Sequence, residues 1–120
     1  MTKREANKAV RWFSRMWLLQ DWDIKVKFSD ADLEPENLAE IDLDVGVKTA
    51  TITIGSDGLH DGKRDGYVCL FHELAHILLA EALYPNVCGD NARAHFLVNQ
   101  IGAVSAEAYK SGAAFPPRGK

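Results

Sequence analysis

The chain is poor in the features that mark specialised classes of protein. It has two cysteines, Cys69 and Cys88, in 120 residues. Two thiols build no disulfide framework, which excludes a small cross-linked scaffold. No apolar run approaches the ~18 residues of a membrane-spanning helix. Met1-Thr-Lys-Arg4 has the basic charge of a targeting segment, but Arg11 and Arg15 interrupt the apolar stretch that such a segment needs. A cytosolic location without a membrane partner is therefore expected. Formal net charge is −3, so no general basic excess points to nucleic acid. No internal repeat and no break in composition marks a second domain, and the length suits one core.

What is present is an ordinary globular composition, 47% hydrophobic and 26% charged, which excludes a disordered chain. Charge is unevenly spread. Residues 1–27 carry seven Lys/Arg against three Asp/Glu, whereas residues 28–62 carry one Lys against nine Asp/Glu. The plain reading is two solvated faces of opposite sign; a partner-binding role for the basic one is the sharper alternative.

The hydrophobic pattern predicts a short series of elements. Thr2-Lys-Arg-Glu5 is a capping-box pattern, and Ala6, Ala9, Val10, Phe13, Met16 and Trp17 follow at helical spacing, giving an amphipathic helix to about Leu19. Trp22, Ile24, Val26 and Phe28 alternate with polar residues as in a half-buried strand. Asp30 to Asn37 is an acidic turn region without the glycine and ligand order of a calcium loop. Residues 36–47 suit either a helical turn or a strand; a short turn followed by a strand is favoured. Thr49–Ile54 alternates cleanly, and its change of parity relative to Val47 requires a turn or bulge near Gly46–Lys48. A largely apolar helix is expected from about Asp65 to Leu83. A last helix, capped by Asp90, should run to about Lys110, with tail composition over 111–120.

One stretch carries chemistry. His72-Glu73-Leu-Ala-His76 reads His-Glu-x-x-His in the middle of the apolar helix. At roughly 100° per residue the two histidines lie one turn apart on one face, where both imidazoles can reach one zinc ion. Glu73, offset by one residue, stands beside the pair, placed to act as general base towards a water at the metal. With four His and seven Glu in the chain, the pattern arises by accident in about one such sequence in a hundred. The bland alternative is two buried histidines satisfied by hydrogen bonds. It is disfavoured, because two imidazoles and a carboxylate in an apolar helix would each need a partner. Cys69, one turn before His72, reads as a small buried apolar residue before it reads as a neighbour of the metal.

A zinc site needs more than two protein ligands, and the candidates for a third are Glu81, Asp90, His95, Glu107 and His60. Glu81 lies five residues after His76, roughly 140° round the helix. If the last two helices run antiparallel, His72 and His76 are level with residues near 97 to 102. His95 is then within about one turn, and Glu107 about 7–15 Å beyond. Asp90 is engaged at its cap, and His60 stays open in the loop before the helix. His95 is the best third ligand.

Leu70-Phe-His-Glu-Leu-Ala-His-Ile-Leu-Leu79 resembles the active-site helix of the zincin metallopeptidases. Trp22-Asp-Ile-Lys-Val26 and Ala50-Thr-Ile-Thr-Ile54 look like strands of small phage- and prophage-type metallopeptidases, loosely similar to ImmA/IrrE-type and SprT-like proteins. The likeness covers about residues 10–105, and only the His-Glu-x-x-His part is specific. Such relatives often carry Glu at the third-ligand position of the final helix; His95-Phe-Leu-Val-Asn-Gln-Ile101 matches that place with His. The longer metzincin signature is absent, since Ile77 to Pro85 holds neither its Gly nor its third His. The resemblance implies an α+β, minimal zincin-like fold over residues 1–110. It would comprise an N-terminal helix, a twisted sheet of about three strands, an active-site helix and a C-terminal helix, with 111–120 as a flexible tail. It implies a zinc-dependent metallopeptidase of narrow specificity, acting on a protein or peptide substrate. Its site would be His72, His76 and His95 around Zn2+ with Glu73 as catalytic base. Thr49–Ile54 would be the edge strand above the site, and Tyr67 and His60 are the nearby polar candidates for an oxyanion donor, Tyr67 reading first as core. The alternative is a non-catalytic, zinc-supported protein-binding domain.

Overall fold

The computed structural model describes residues 1–34, 36–56, 66–83 and 92–112. Six elements follow in order: α1 (Lys3–Met16), β1 (Asp23–Phe28), β2 (Ala39–Asp44), β3 (Thr49–Ile54), α2 (Gly66–Leu83) and α3 (Ala92–Lys110). The fold is α+β. The expected tail from residue 113 onward, and Cys88, lie outside the described residues.

α1 starts as its sequence requires. The Glu5 amide donates to Thr2 Oγ1 at 3.1 Å, and the Thr2 amide donates to Glu5 Oε1 at 2.8 Å, closing the capping box. The helix ends at Met16 and not at Leu19. Leu18 adopts a left-handed conformation with φ 61° and is 79% exposed. That reversal lets the Leu19 amide donate to Ser14 O at 2.7 Å and tucks the Leu19 side chain into the core. Leucine carries no stop signal of its own, so periodicity overran the helix end.

The sheet has the order β1-β3-β2, with β1 parallel and β2 antiparallel to β3. This corrects the expectation that Thr49–Ile54 forms the edge: β3 is the central strand, and β2 is one of the two edges. The physical reason is legible in the side chains. β3 carries no charge and buries Ala50, Ile52, Thr53 and Ile54, as a strand flanked on both sides should. β2 alternates Ala39, Ile41 and Leu43 with Glu40, Asp42 and Asp44, and such charges are typical of an edge. The expected turn before β3 is present over residues 45–48. Asp44 Oδ1 accepts from the Gly46 amide at 2.9 Å and the Val47 amide at 3.4 Å, and Lys48 sits at φ 55°.

One face of the sheet packs on α1 and α2. Val26, Ala50, Ile52 and Ile54 meet Phe13, Leu70, Phe71, Leu74 and Ile77 in a continuous core. Phe71 stands at the junction of the three helices, with ring centroids 5.8 Å from Trp12, 5.7 Å from Phe13 and 5.5 Å from Tyr109. A second small cluster of Ala75, Leu79, Ala94 and Val98 joins α2 to α3. Among the described residues no helix is long and apolar enough to cross a membrane.

Candidate metal centre

α2 is apolar on nearly every side, and most of it is buried: Leu70, Phe71, Leu74, Ala75 and Ile77 are all fully enclosed. His72 and His76 remain half-buried on the one face that is left, one helical turn apart, with ring centroids separated by 5.2 Å. α3 brings the exposed His95 up to this face. Its ring lies 5.3 Å from His72 and 5.5 Å from His76. The three rings form a nearly equilateral triangle, and one nitrogen of each lies within 4.8 Å of the others.

The triangle can be tested against a metal. Imidazole nitrogens bound at about 2.0–2.1 Å to one tetrahedral zinc put their ring centres about 5.2 Å apart; a flatter trigonal site puts them about 5.5 Å apart. The observed 5.2, 5.3 and 5.5 Å span that interval. The donor set also fits in kind, since neutral imidazole suits zinc and leaves a fourth position open.

The approach of α3 to α2 depends on a residue outside the motif. Gly102 lies two turns after His95 on the same face of α3. A Cβ there would come within 3.0 Å of His72 Cα, 3.1 Å of His72 N and 3.3 Å of the Phe71 carbonyl carbon. These are backbone atoms and cannot swing aside. A lone glycine inside a strong helical pattern was the available signal, because it costs the helix about 1 kcal/mol and needs a packing reason. Gly102→Ala regains that propensity but forces the helices apart, at about 1–3 kcal/mol for overpacking. A net loss of stability is expected in urea denaturation, together with weaker zinc binding, because His95 moves with α3. Unchanged zinc affinity would show that helix spacing does not set the site.

Glu73 is 7% exposed. Burial pushes its carboxyl from 4.5 up to about 7, and the negative charge of Glu40 on β2 adds to the shift. Among the described residues, no hydrogen bond or cation acts in the opposite direction. A carboxyl poised near neutrality in a buried position is what proton transfer at neutral pH needs. The influence of Glu40 has no counterpart in the sequence pattern, because it depends on how β2 packs against α2.

The other candidates are placed elsewhere or lie outside the described residues. Glu107 is exposed and sits 4.0 Å from Lys110 Nζ. Glu81 accepts from Trp22 Nε1 at 3.3 Å and lies 3.2 Å from Lys48 Nζ, where it ties the end of α2 to the β-layer. Tyr67, considered as an oxyanion donor, has its ring against Tyr109 at 5.4 Å and its hydroxyl donating to Glu5 Oε2 at 3.5 Å. It belongs to the aromatic cluster beside α1. Cys69 is a buried thiol outside any disulfide and is not part of the histidine group. Asp90 and His60 are the two that fall outside the described residues.

No protein-family model, curated protein or solved structure matches the chain.

Proposed function

We propose that this protein is a zinc-dependent peptidase of narrow specificity, related in design to the small phage- and prophage-type metallopeptidases. His72, His76 and His95 are its ligands and Glu73 its general base. The observation that carries the reading is the triangle of three imidazoles with a near-neutral buried carboxyl set between two of them in sequence. Bound zinc would supply Lewis acidity towards water and the scissile carbonyl. The chain's own part is proton handling and orientation. Glu73 takes a proton from the attacking water and passes it to the leaving amine, a role suited to a carboxyl near 7. Gly102 holds His95 against the helix that carries the other two ligands.

The corrected strand order supplies a place for an extended substrate. The Gly55 amide donates to Leu38 O at 2.9 Å, so Leu38 and Gly55 form a hydrogen-bonded pair. The alternation then turns the backbone of Glu40, Asp42 and Asp44 towards β3, and that of Ala39, Ile41 and Leu43 towards the open edge. Those residues have no backbone partner among the described residues, and a peptide strand can pair with them. The reading includes a cytosolic setting.

A second reading is a zinc-supported domain that binds a protein and cuts nothing. The basic outer side of α1, with Lys3, Arg4, Lys8, Arg11 and Arg15, favours it. Metal analysis of the purified protein tests both, with one zinc per chain expected; absence of stoichiometric zinc defeats both. Cleavage of an unbiased peptide mixture, lost on chelation and restored by zinc, separates the first from the second.

A further inference from the structure

The two edges of the sheet differ in charge. On the face opposite the core, β1 presents Lys25 and Lys27, and β2 presents Glu40, Asp42 and Asp44. The strand registers set these residues in rows across β3: Lys25, Thr51 and Asp42 in one, Lys27, Thr53 and Glu40 in the next. Each of the two rows begins at a cation and ends at a carboxylate. Lys27 is engaged by Asp32 at 3.0 Å, and Glu40 accepts from Asn37 Nδ2 at 2.8 Å. Lys25 and Asp42 are exposed, and neither has an ion-pair partner among the described residues.

Both edges are open along the backbone as well. In the parallel ladder the Asp23 amide donates to Lys48 O at 2.9 Å and the Ser29 amide to Ile54 O at 3.1 Å. Asp23, Lys25 and Lys27 therefore turn their backbone towards β3, and Ile24, Val26 and Phe28 turn theirs outward. Their counterparts on β2 are Ala39, Ile41 and Leu43. None of these six has a backbone partner beyond the sheet among the described residues. α1 does not fill the space beside β1: a concavity of about 360 Å3 remains there, lined in part by Val10, Arg11, Gln20, Trp22 and Ile24.

Charges on an edge strand ordinarily guard it against pairing. Here the guard acts only between like edges. β1 repels a second β1 and β2 repels a second β2, but β1 and β2 attract. Antiparallel pairing of Asp23–Phe28 with Ala39–Asp44 of a second copy satisfies backbone and side chains together. The outward residues meet as hydrogen-bonded pairs: Phe28 with Ala39, Val26 with Ile41 and Ile24 with Leu43 of the second copy, all with side chains on the helix side of the sheet. Phe28, left 36% exposed in one chain, gains cover. The intervening rows, where side chains stand closer, set Lys25 against Asp42 and Lys27 against Glu40. The one like-charged row, Asp23 with Asp44, falls at the strand ends, where Asp44 Oδ1 already accepts from the Gly46 and Val47 amides. The same register brings the 45–48 turn of the second copy, with its exposed Val47, level with Gln20 and Trp22 in the concavity.

We propose that copies of this chain associate head to tail, the β1 edge of one pairing antiparallel with the β2 edge of the next. Each assembly keeps one open edge at either end, so growth continues past two copies into a ring or a filament. The association is independent of zinc and of the peptidase reading. It occupies the β2 edge which that reading gives to an extended substrate, so a covered copy is closed to one.

The test is sedimentation velocity on the full chain, with zinc and with a chelator. The wild-type mass should rise past the dimer as concentration increases, fall back with added salt, and do so alike in both buffers. Lys25→Glu and Asp42→Lys should each move the onset of association to about tenfold higher concentration, because an attractive cross-strand pair becomes a repulsive one. Mixed in equal amounts, the two variants carry opposite charges at the facing edges, and association should return to the wild-type range. A wild type that stays monomeric overturns the proposal. So does a mass that stops at the dimer, which marks a two-fold contact between like surfaces, and so does a mixture that associates no better than its components.

Discussion

Glu73→Gln is expected to lower peptide cleavage by about 10²–10⁴-fold while zinc stays bound, and to make the metal-free protein more stable above neutral pH. The two effects have one cause. Glu73 is buried with no compensating cation among the described residues, and its carboxyl is raised from 4.5 to about 7. A carboxyl raised in the folded state binds its proton more tightly there than in the unfolded chain. Its contribution to stability is therefore fully present below about pH 4.5 and is lost as pH rises through about 7. At about 1.4 kcal/mol per pH unit, the rise from 4.5 to about 7 sets an upper bound of about 3–4 kcal/mol on the loss. Glutamine has the same shape and no charge to bury, so the substituted apo-protein escapes this loss. Urea denaturation in the presence of a chelator, at pH 5 and pH 8, measures it. The wild type should weaken between the two while Glu73→Gln holds steady. Parallel behaviour of the two proteins would mean that Glu73 titrates at an ordinary value, and the general-base assignment would lose its physical support.

His95→Ala should reduce zinc affinity by more than about 100-fold, whereas Glu107→Ala should leave it unchanged within the error of a competition titration. Loss of an outer-shell partner alone costs about 10–100-fold, and loss of a direct ligand should exceed it. The contrast rests on placement. The His95 ring closes the triangle with His72 and His76 at 5.3 and 5.5 Å, and Glu107 is exposed beside Lys110. If His95→Ala binds zinc as tightly as the wild type, the third ligand comes from elsewhere and the triangle is a coincidence of packing. His95→Glu offers a further comparison, since a carboxylate there gives two histidines and a glutamate, a donor set that zinc also accepts, and should recover part of the affinity.

Much of the fold was written in local patterns. The capping box at Thr2 and Glu5, the alternation over Thr49–Ile54 and the apolar run around His72 each depend on neighbours in sequence, and each appears within a residue or two of its expected bounds. Simple helix arithmetic placed His95 within about one turn of the level of the His72–His76 pair, because two antiparallel helices joined by a short link leave little freedom of register. Other features depend on contacts between distant segments. Strand order could not be read from β3 alone, although its lack of charge beside the acidic alternation of β2 was an unused clue. The left-handed Leu18 carries no compositional mark, since leucine is a helix former that adopts this conformation only because Leu19 is needed in the core. Gly102 and Glu40 matter to the site through the backbone of His72 and the charge felt by Glu73, and neither relation has a sequence spacing.

The histidines come from two helices, and eighteen residues separate His76 from His95. A metal gripping both would act as a removable staple across that stretch. For a covalent bridge, closing a loop of about 15 residues is worth about 3 kcal/mol through the entropy it withholds from the unfolded chain. The same accounting makes the hairpin of α2 and α3 sensitive to supply. With zinc abundant the two helices would resist opening, and in scarcity the pair would be the first part to come undone. Survival in a cell full of proteases would then rise and fall with the local metal concentration, and copy number would become a readout of zinc status.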